Sequence, residues 1–299
     1  MKSADAVLIF VKNLQIRDYS VDTCRSYVRV LEVFCAFLEE IGVQEVEVVD
    51  LEILRAYVAK LVGSKVKRVT IRHKISVLKA FFTFLFQNDY ISKNPTARIK
   101  YPKIGKTLPH ILSIEQISKI LDFASRSAEY ERCNNLKSYP STLQNYALVE
   151  LLYSSGLRIS ETLGLTAGDL YFEQNQLCVT GKGNKSRVVP FNNAARRVLL
   201  ELVEQRCGSN WLFVSDKGTR LQPRGAYRAI VKLAKSAGVD GVHPHSFRHT
   251  MATHMIDNSA DIRIVQEILG HASITTTQKY IHVSSKKIQT IYSQAFWRA

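Results

Sequence analysis

Residues 146–165 read YALVELLYSSGLRISETLGL. Tyr146 to Tyr153 has a helical pattern, and Gly156 follows as its C-cap, the residue type that best accepts the left-handed turn at a helix end. Arg158 stands just past that cap. Glu161 lies three positions on, within reach of Arg158 across one helical turn. An arginine at a helix junction is ordinarily a surface residue, so its meaning depends on what surrounds it in the chain.

Upstream, the first hundred residues read as four helices. One lies near residues 4–14. In the second, Tyr27, Leu31, Phe34, Leu38 and Ile41 step along one helical face, with Ser20 placed to cap it. Asp50 caps a third helix carrying Leu54, Val58 and Leu61. Ile71, Ile75, Leu78, Phe82 and Leu85 mark the fourth. The sequence YPKIGKTLP at 101–109 has two prolines, a glycine and no helical period, as a linker would. Residues 1–100 are thus expected to form a helical domain, 101–112 a linker, and 113–299 a second domain.

The second domain opens at Ser113, with Gln116 at capping-box spacing. Residues 126–143 are polar and read as a long loop. Leu177–Thr180 and Arg187–Pro190 read as two strands joined by GKGNKS at 181–186, a hairpin with a basic tip. Helices follow to the end. The fold class is therefore mostly α with a small β-sheet: a four-helix domain followed by an α+β domain.

The 299 residues carry 41 Lys+Arg against 26 Asp+Glu, a formal charge of +15. Such an excess favours a polyanionic partner. No apolar run approaches the roughly 20 residues needed to span a bilayer, and the N-terminus lacks the cleavage site of a signal peptide. Five widely spaced cysteines without a CxxC suggest neither a disulfide framework nor a zinc ribbon, so a cytoplasmic setting is expected. The charge is uneven. Residues 31–62 hold seven acidic and two basic side chains, whereas 65–106 hold eleven basic and one acidic. A solubilising face is the usual meaning of a charge run, but this imbalance favours phosphate contact by Lys65, Lys67, Arg68, Arg72 and Lys74. Lys185, Arg187, Arg224 and Arg228 are further candidates for DNA contact, the last two being four apart at the start of a helix.

Other residues carry chemistry only in combination. Lys182 sits between two glycines on the hairpin, where a solvated turn lysine is commonplace. His245, Arg248 and His249 fall in HPHSFRH at 243–249, and a helix starting near Pro244 sets His245 and Arg248 on one face. His245 and His249 have the spacing of a metal pair, but no HExxH glutamate or neighbouring Cys or Asp cluster completes a site. His271 follows Leu269-Gly270, and Tyr280 follows nine residues later. Together, two arginines can fork onto phosphate oxygens, histidines and a lysine can move protons, and a tyrosine hydroxyl can form a covalent intermediate. Without a carboxylate cluster for magnesium, this set points to metal-free phosphoryl transfer on DNA.

At this point the chain resembles the tyrosine recombinases, most closely their Xer-type branch. The resemblance is carried by LLYSSGLRISETLGL at 151–165, GKGNKSRVVPF at 181–191, HPHSFRHTMATHM at 243–255 and LGHASITTTQKY at 269–280. It implies that Arg158 and Arg248 hold the non-bridging oxygens of the scissile phosphate and that His271 adds a hydrogen bond. Lys182 would protonate the leaving 5′-oxygen, and His245 would accept the tyrosine proton or bind the phosphate. Tyr280 would become a 3′-phosphotyrosine, and Glu161 would orient Arg158. Neither cofactor nor metal is implied.

The resemblance further implies two domains closing on duplex DNA as a clamp, at a short core of two half-sites. It implies a homotetramer, or a heterotetramer with a sister recombinase, and a septal DNA translocase as activator in chromosome partition and cell division. The C-terminal helix has Ile288, Ile291, Tyr292, Ala295 and Phe296 on one face; composition favours packing of that face on its own domain, whereas the resemblance implies that the helix passes to a neighbouring protomer. Two departures stand out: the length of 126–143, and Lys279, where an apolar residue is expected. DNA integration or resolution by a mobile element is the alternative with the same chemistry. A DNA-binding protein without strand transfer, or a metal-dependent nuclease, is the alternative from another class.

Overall fold

The computed structural model describes residues 1–64, 66–103, 110–181, 186–205, 209–270 and 285–298. Its contacts divide the chain into two compact units, Met1–Thr107 and Leu108–Ala299.

The first unit contains α1 (Ser3–Ile16), α2 (Val21–Glu40), α3 (Leu51–Gly63) and α4 (Arg68–Gln87). Its helix starts are fixed locally. The Ser20 hydroxyl accepts from the Thr23 amide at 3.2 Å, and the Asp50 carboxylate accepts from the Ile53 amide at 2.9 Å, so each satisfies an N–H that the helix cannot. The helices then bury one aromatic cluster. Phe34 packs edge-on against Tyr57 at 5.0 Å and Phe82 at 6.0 Å, while Phe10 meets Phe81 at 5.4 Å.

The second unit is built round α6 (Tyr139–Ser155). From Ala147 to Ser155 every residue is buried, so this part of the helix has no solvent face and its neighbours must surround it. Its helical neighbours are α5 (Ile114–Cys133), the one-turn α7 (Ile159–Thr162), α8 (Asn193–Glu204), α9 (Pro223–Ser236) and α10 (Pro244–Asp257). The Ser113–Gln116 capping box starts α5. The expected loop over 126–143 is corrected here: α5 runs on to Cys133, and α6 begins at Tyr139, with a proline in its first turn. Within that polar stretch α5 buries Ala128 and α6 buries Leu143, and the two helices pack closely on each other.

The strands are β1 (Leu170–Tyr171), β2 (Gln176–Thr180) and β3 (Ser186–Pro190), antiparallel in that order. Leu177 faces Val189 and Val179 faces Arg187. The two-residue strand β1 extends the expected hairpin to a three-stranded sheet.

After α11 (Ile262–Leu269), the chain ends in α12 (Ser285–Ala295), whose Ile288, Tyr292 and Ala295 are buried within the second unit. The Tyr292 hydroxyl donates to the Ser154 carbonyl at 2.9 Å, and the Trp297 indole donates to the Tyr153 hydroxyl. In this single chain, then, α12 covers its own domain; expected exchange with a neighbour would first require undocking it.

The tail also reaches a buried acid. Glu150, wholly buried on α6, has Arg298 Nε at 3.4 Å and accepts from Asn192 at 3.3 Å. Burial raises its pKa, against the lowering effect of Arg298. Arg298→Ala should destabilise the second unit by about 3 kcal/mol at pH 8, the scale for stranding one partner of a buried pair. A carboxyl whose folded pKa is raised is better tolerated protonated, so the deficit should shrink on acidification towards pH 5. Urea unfolding followed by tryptophan fluorescence checks this, since Trp211 and Trp297 are the only tryptophans and both lie in the second unit. A deficit independent of pH would contradict it.

Candidate active site

The C-terminal end of α6 meets the C-terminal end of α11 here. Gly156 ends α6 with φ +62°, and Gly270 ends α11 with φ +63°. A Cβ on Gly156 would lie 2.9 Å from Leu269 Cδ2 and 3.1 Å from Met251 Sδ. A side chain there is excluded by both conformation and space. The two helix ends therefore approach as only glycine permits, and each presents carbonyl oxygens without intrahelical partners.

Three arginines occupy the junction. Arg248, on α10, is buried and donates to the Gly156 carbonyl at 2.6 Å and to the Leu269 carbonyl at 2.7 Å. Arg187, on β3, donates through Nε to the Ile268 carbonyl at 3.0 Å. Arg158 reaches the Gly270 carbonyl at 3.4 Å. Three guanidiniums thus engage three consecutive carbonyls at the negative end of a helix, where cations are favoured.

One carboxylate ties two of them together. Glu161 accepts from Arg158 Nη1 at 2.8 Å and from the Arg158 amide at 2.9 Å. It also accepts from Arg187 through both oxygens, at 3.1 and 3.0 Å. Although burial opposes ionisation, these donors hold its pKa near 2, so Glu161 is an anion at neutral pH. Burial lowers the pKa of Arg248 to about 10, with the positive charge of Arg158 acting in the same direction; it stays cationic at neutral pH. Three cations against one anion leave a local excess of +2, held on a rigid frame. Arg158 is the most open of the three, its side chain 38% exposed.

His245 lies exposed in the first turn of α10, three residues before Arg248. Partial burial lowers its pKa, helped by the neighbouring charges of His249, His243, Arg248 and Arg158. The neutral imidazole, able to accept a proton, is thereby favoured. The structure brings together Arg158, Glu161, Arg187, Arg248 and His245. Lys182, Lys185, His271, Tyr280, Lys279 and Lys65 lie outside the described residues. No group of three or more His, Cys, Asp or Glu is placed to hold a metal ion among the described residues.

The cations expected at DNA divide into distinct sets. Arg224 and Arg228 are exposed one turn apart on α9. In the first unit, Lys67, Arg68 and Arg72 are exposed, with Arg68 and Arg72 also one turn apart. Lys74 is half-buried and, at about 100° per residue, lies roughly 200° round the helix from Arg72. Arg72 sits 5.4 Å and Lys79 4.8 Å from the Tyr101 ring, a cation–π pairing that the sequence reading missed. Arg187 differs from all of these, being turned inward with its side chain 16% exposed. Strand alternation signals this. Arg187 faces buried Val179 and precedes buried Val189 by two residues, so it shares their face.

Gly156→Ala tests the junction. Forcing a left-handed alanine and overpacking Leu269 should together cost about 3 kcal/mol. The Gly156 carbonyl that anchors Arg248 would shift with it. The checks are the unfolding midpoint of the second unit and the protease sensitivity of α10. A variant as stable as the parent would show that the helix ends have room to spare.

The chain matches the phage integrase family over residues 111–287 and the phage integrase N-terminal SAM-like domain over residues 9–89. It is similar to the tyrosine recombinase XerC of Pelobacter propionicus, 35% identical over 289 residues that cover 95% of this chain and 92% of the relative. XerC of Bacillus pumilus is 32% identical over 305 residues, covering 98% and 96%. Among solved structures, a lambda integrase (75–356) dimer bound to a COC′ core site shares the fold, with a TM-score of 0.71 at 18% identity, covering 95% of this chain and 100% of that one. With the family matched over more than half its length and XerC relatives similar along nearly all of it, the chain belongs to the phage integrase family and is a tyrosine recombinase, an enzyme that cleaves and rejoins DNA.

Proposed function

We propose that Arg158 and Arg248 form the anion clamp of this recombinase and that Tyr280 is its nucleophile, in Xer-type resolution of chromosome or plasmid dimers. The observation that carries it is the convergence of three guanidiniums on Ile268, Leu269 and Gly270, immediately before the segment that bears His271 and Tyr280. The scissile phosphate is held through its non-bridging oxygens by the two arginines, with His271 adding a hydrogen bond. Tyr280 oxygen attacks phosphorus as its proton passes to His245. The P–O5′ bond breaks, and Lys182 donates a proton to the departing 5′-oxygen. The 3′-phosphotyrosine conserves the phosphodiester's bond energy, so religation by a 5′-hydroxyl requires neither ATP nor metal.

Binding energy comes from Lys65, Lys67, Arg68, Arg72, Lys74, Lys185, Arg224 and Arg228 along the phosphate backbone of a short core of two half-sites. The first unit binds the core and the second cleaves it. Four protomers assemble on two sites, as a homotetramer or with a sister recombinase, in the cytoplasm and under a septal DNA translocase. The XerC names of the relatives favour this setting over integration by a mobile element.

Tyr280→Phe should abolish the covalent adduct on a duplex nicked beside the cleavage point, and leave gel-shift affinity within about twofold. The ring remains while the attacking oxygen is lost. A persistent adduct would remove Tyr280 from the mechanism. Arg158→Lys and Arg248→Lys should each slow adduct formation by about 10²-fold or more, because a lysine keeps the charge but not the planar fork. Near-normal rates from either variant would show that charge alone suffices.

A further inference from the structure

We propose that Arg187 is a positioning residue for Arg158, acting through Glu161, and makes no contact with the DNA backbone. The inference rests on the assignment of Arg158 to the phosphate clamp.

Its geometry leaves little freedom for any other role. Both terminal nitrogens of Arg187 lie on the two oxygens of Glu161, at 3.1 and 3.0 Å, and Nε lies on the Ile268 carbonyl. The fork is the bidentate arrangement that fixes a carboxylate in plane. With Arg187 in place, the Glu161 oxygens face the Arg158 amide and Nη1 at 2.9 and 2.8 Å. Arg158, the more exposed cation, is thereby held by an anion that is itself held from behind. Without Arg187, Glu161 would keep one guanidinium partner and could rotate about its own side-chain bonds, carrying Arg158 with it.

Gly270 provides the space. A Cβ there would lie 2.8 Å from Arg187 Cζ and 2.9 Å from Nε and Nη1, so the guanidinium stacks directly on the glycine. Arg187 itself joins β3 to the C-terminal end of α11, through the Ile268 carbonyl, and to the segment of Arg158 and Glu161, through the carboxylate. Arg187 therefore registers three segments of the site against one another from a position turned away from solvent.

Adduct formation at saturating nicked duplex, which counts only folded and bound protein, tests the idea in a double-mutant cycle. The variants are Arg158→Ala, Arg187→Gln and the pair. Arg187→Gln is expected to slow the reaction at least tenfold on its own and to add less than twofold in the Arg158→Ala background. The salt dependence of duplex affinity should keep its slope, since no phosphate contact is lost. Arg187→Lys, which keeps charge but not the fork, should resemble Arg187→Gln, and Gly270→Ala should slow the reaction in the same way by displacing the guanidinium. Multiplicative losses in the cycle, or an unchanged rate with a slope shallower by about 0.9, would overturn the positioning role and make Arg187 an independent or DNA-contacting cation. A normal rate for Arg158→Ala would instead overturn the clamp itself.

Discussion

Three arginines cannot be packed into one helix junction unless their mutual repulsion is offset, and the rest of the second unit is arranged around that constraint. The offset has two parts. Glu161 supplies a full negative charge, kept ionised by its donors. The end of α11 supplies three successive carbonyls, one for each guanidinium. Glu161 alone would leave Arg248 without a partner among these groups, and the carbonyls alone would leave three cations with no counter-charge, in a partly dry setting where an uncompensated charge is costly. Together they leave a fixed excess of positive charge facing outward through Arg158.

The frame beneath is α6. Its C-terminal half, Ala147–Ser155, is buried on every side, which holds the carbonyl of Gly156 at its end in place. Arg248 binds that carbonyl and the Leu269 carbonyl at once, bracing two helix ends with a single side chain. In the proposed mechanism a phosphate would meet donors already in place, which is where electrostatic catalysis has its advantage. The covered tail adds to the same frame, through Tyr292 on Ser154 and Arg298 on Glu150.

Much of this was legible in the sequence, because local chemistry sets it. Ser20, Asp50, Ser113 with Gln116, and Gly156 mark helix ends through hydrogen bonds or conformations that belong to those residue types. The pairing of Arg158 with Glu161 follows from helical spacing. What escaped was set by tertiary packing. The stretch 126–143 has few apolar residues at helical spacing, yet both of its ends are helical because Ala128 of α5 and Leu143 of α6 are buried where the two helices pack. The inward face of Arg187 follows from its register opposite Val179, whereas charge alone does not distinguish the two faces of a strand. The docking of α12 on its own unit agrees with what composition favours for its apolar stripe, whereas the stripe itself does not name the surface, Tyr153 and Ser154 of α6, that covers it.

The central claim is that one anion, Glu161, sets the geometry of the phosphate clamp. The most direct measurement is the single-turnover rate of covalent-adduct formation by Glu161→Gln at saturating nicked duplex, with the affinity measured alongside. The account predicts a fall of about 10²-fold in rate, the scale for losing a preorganised donor, with an affinity within about twofold of the parent. Adduct formation at the parental rate would contradict it, showing that Arg158 is placed without the carboxylate.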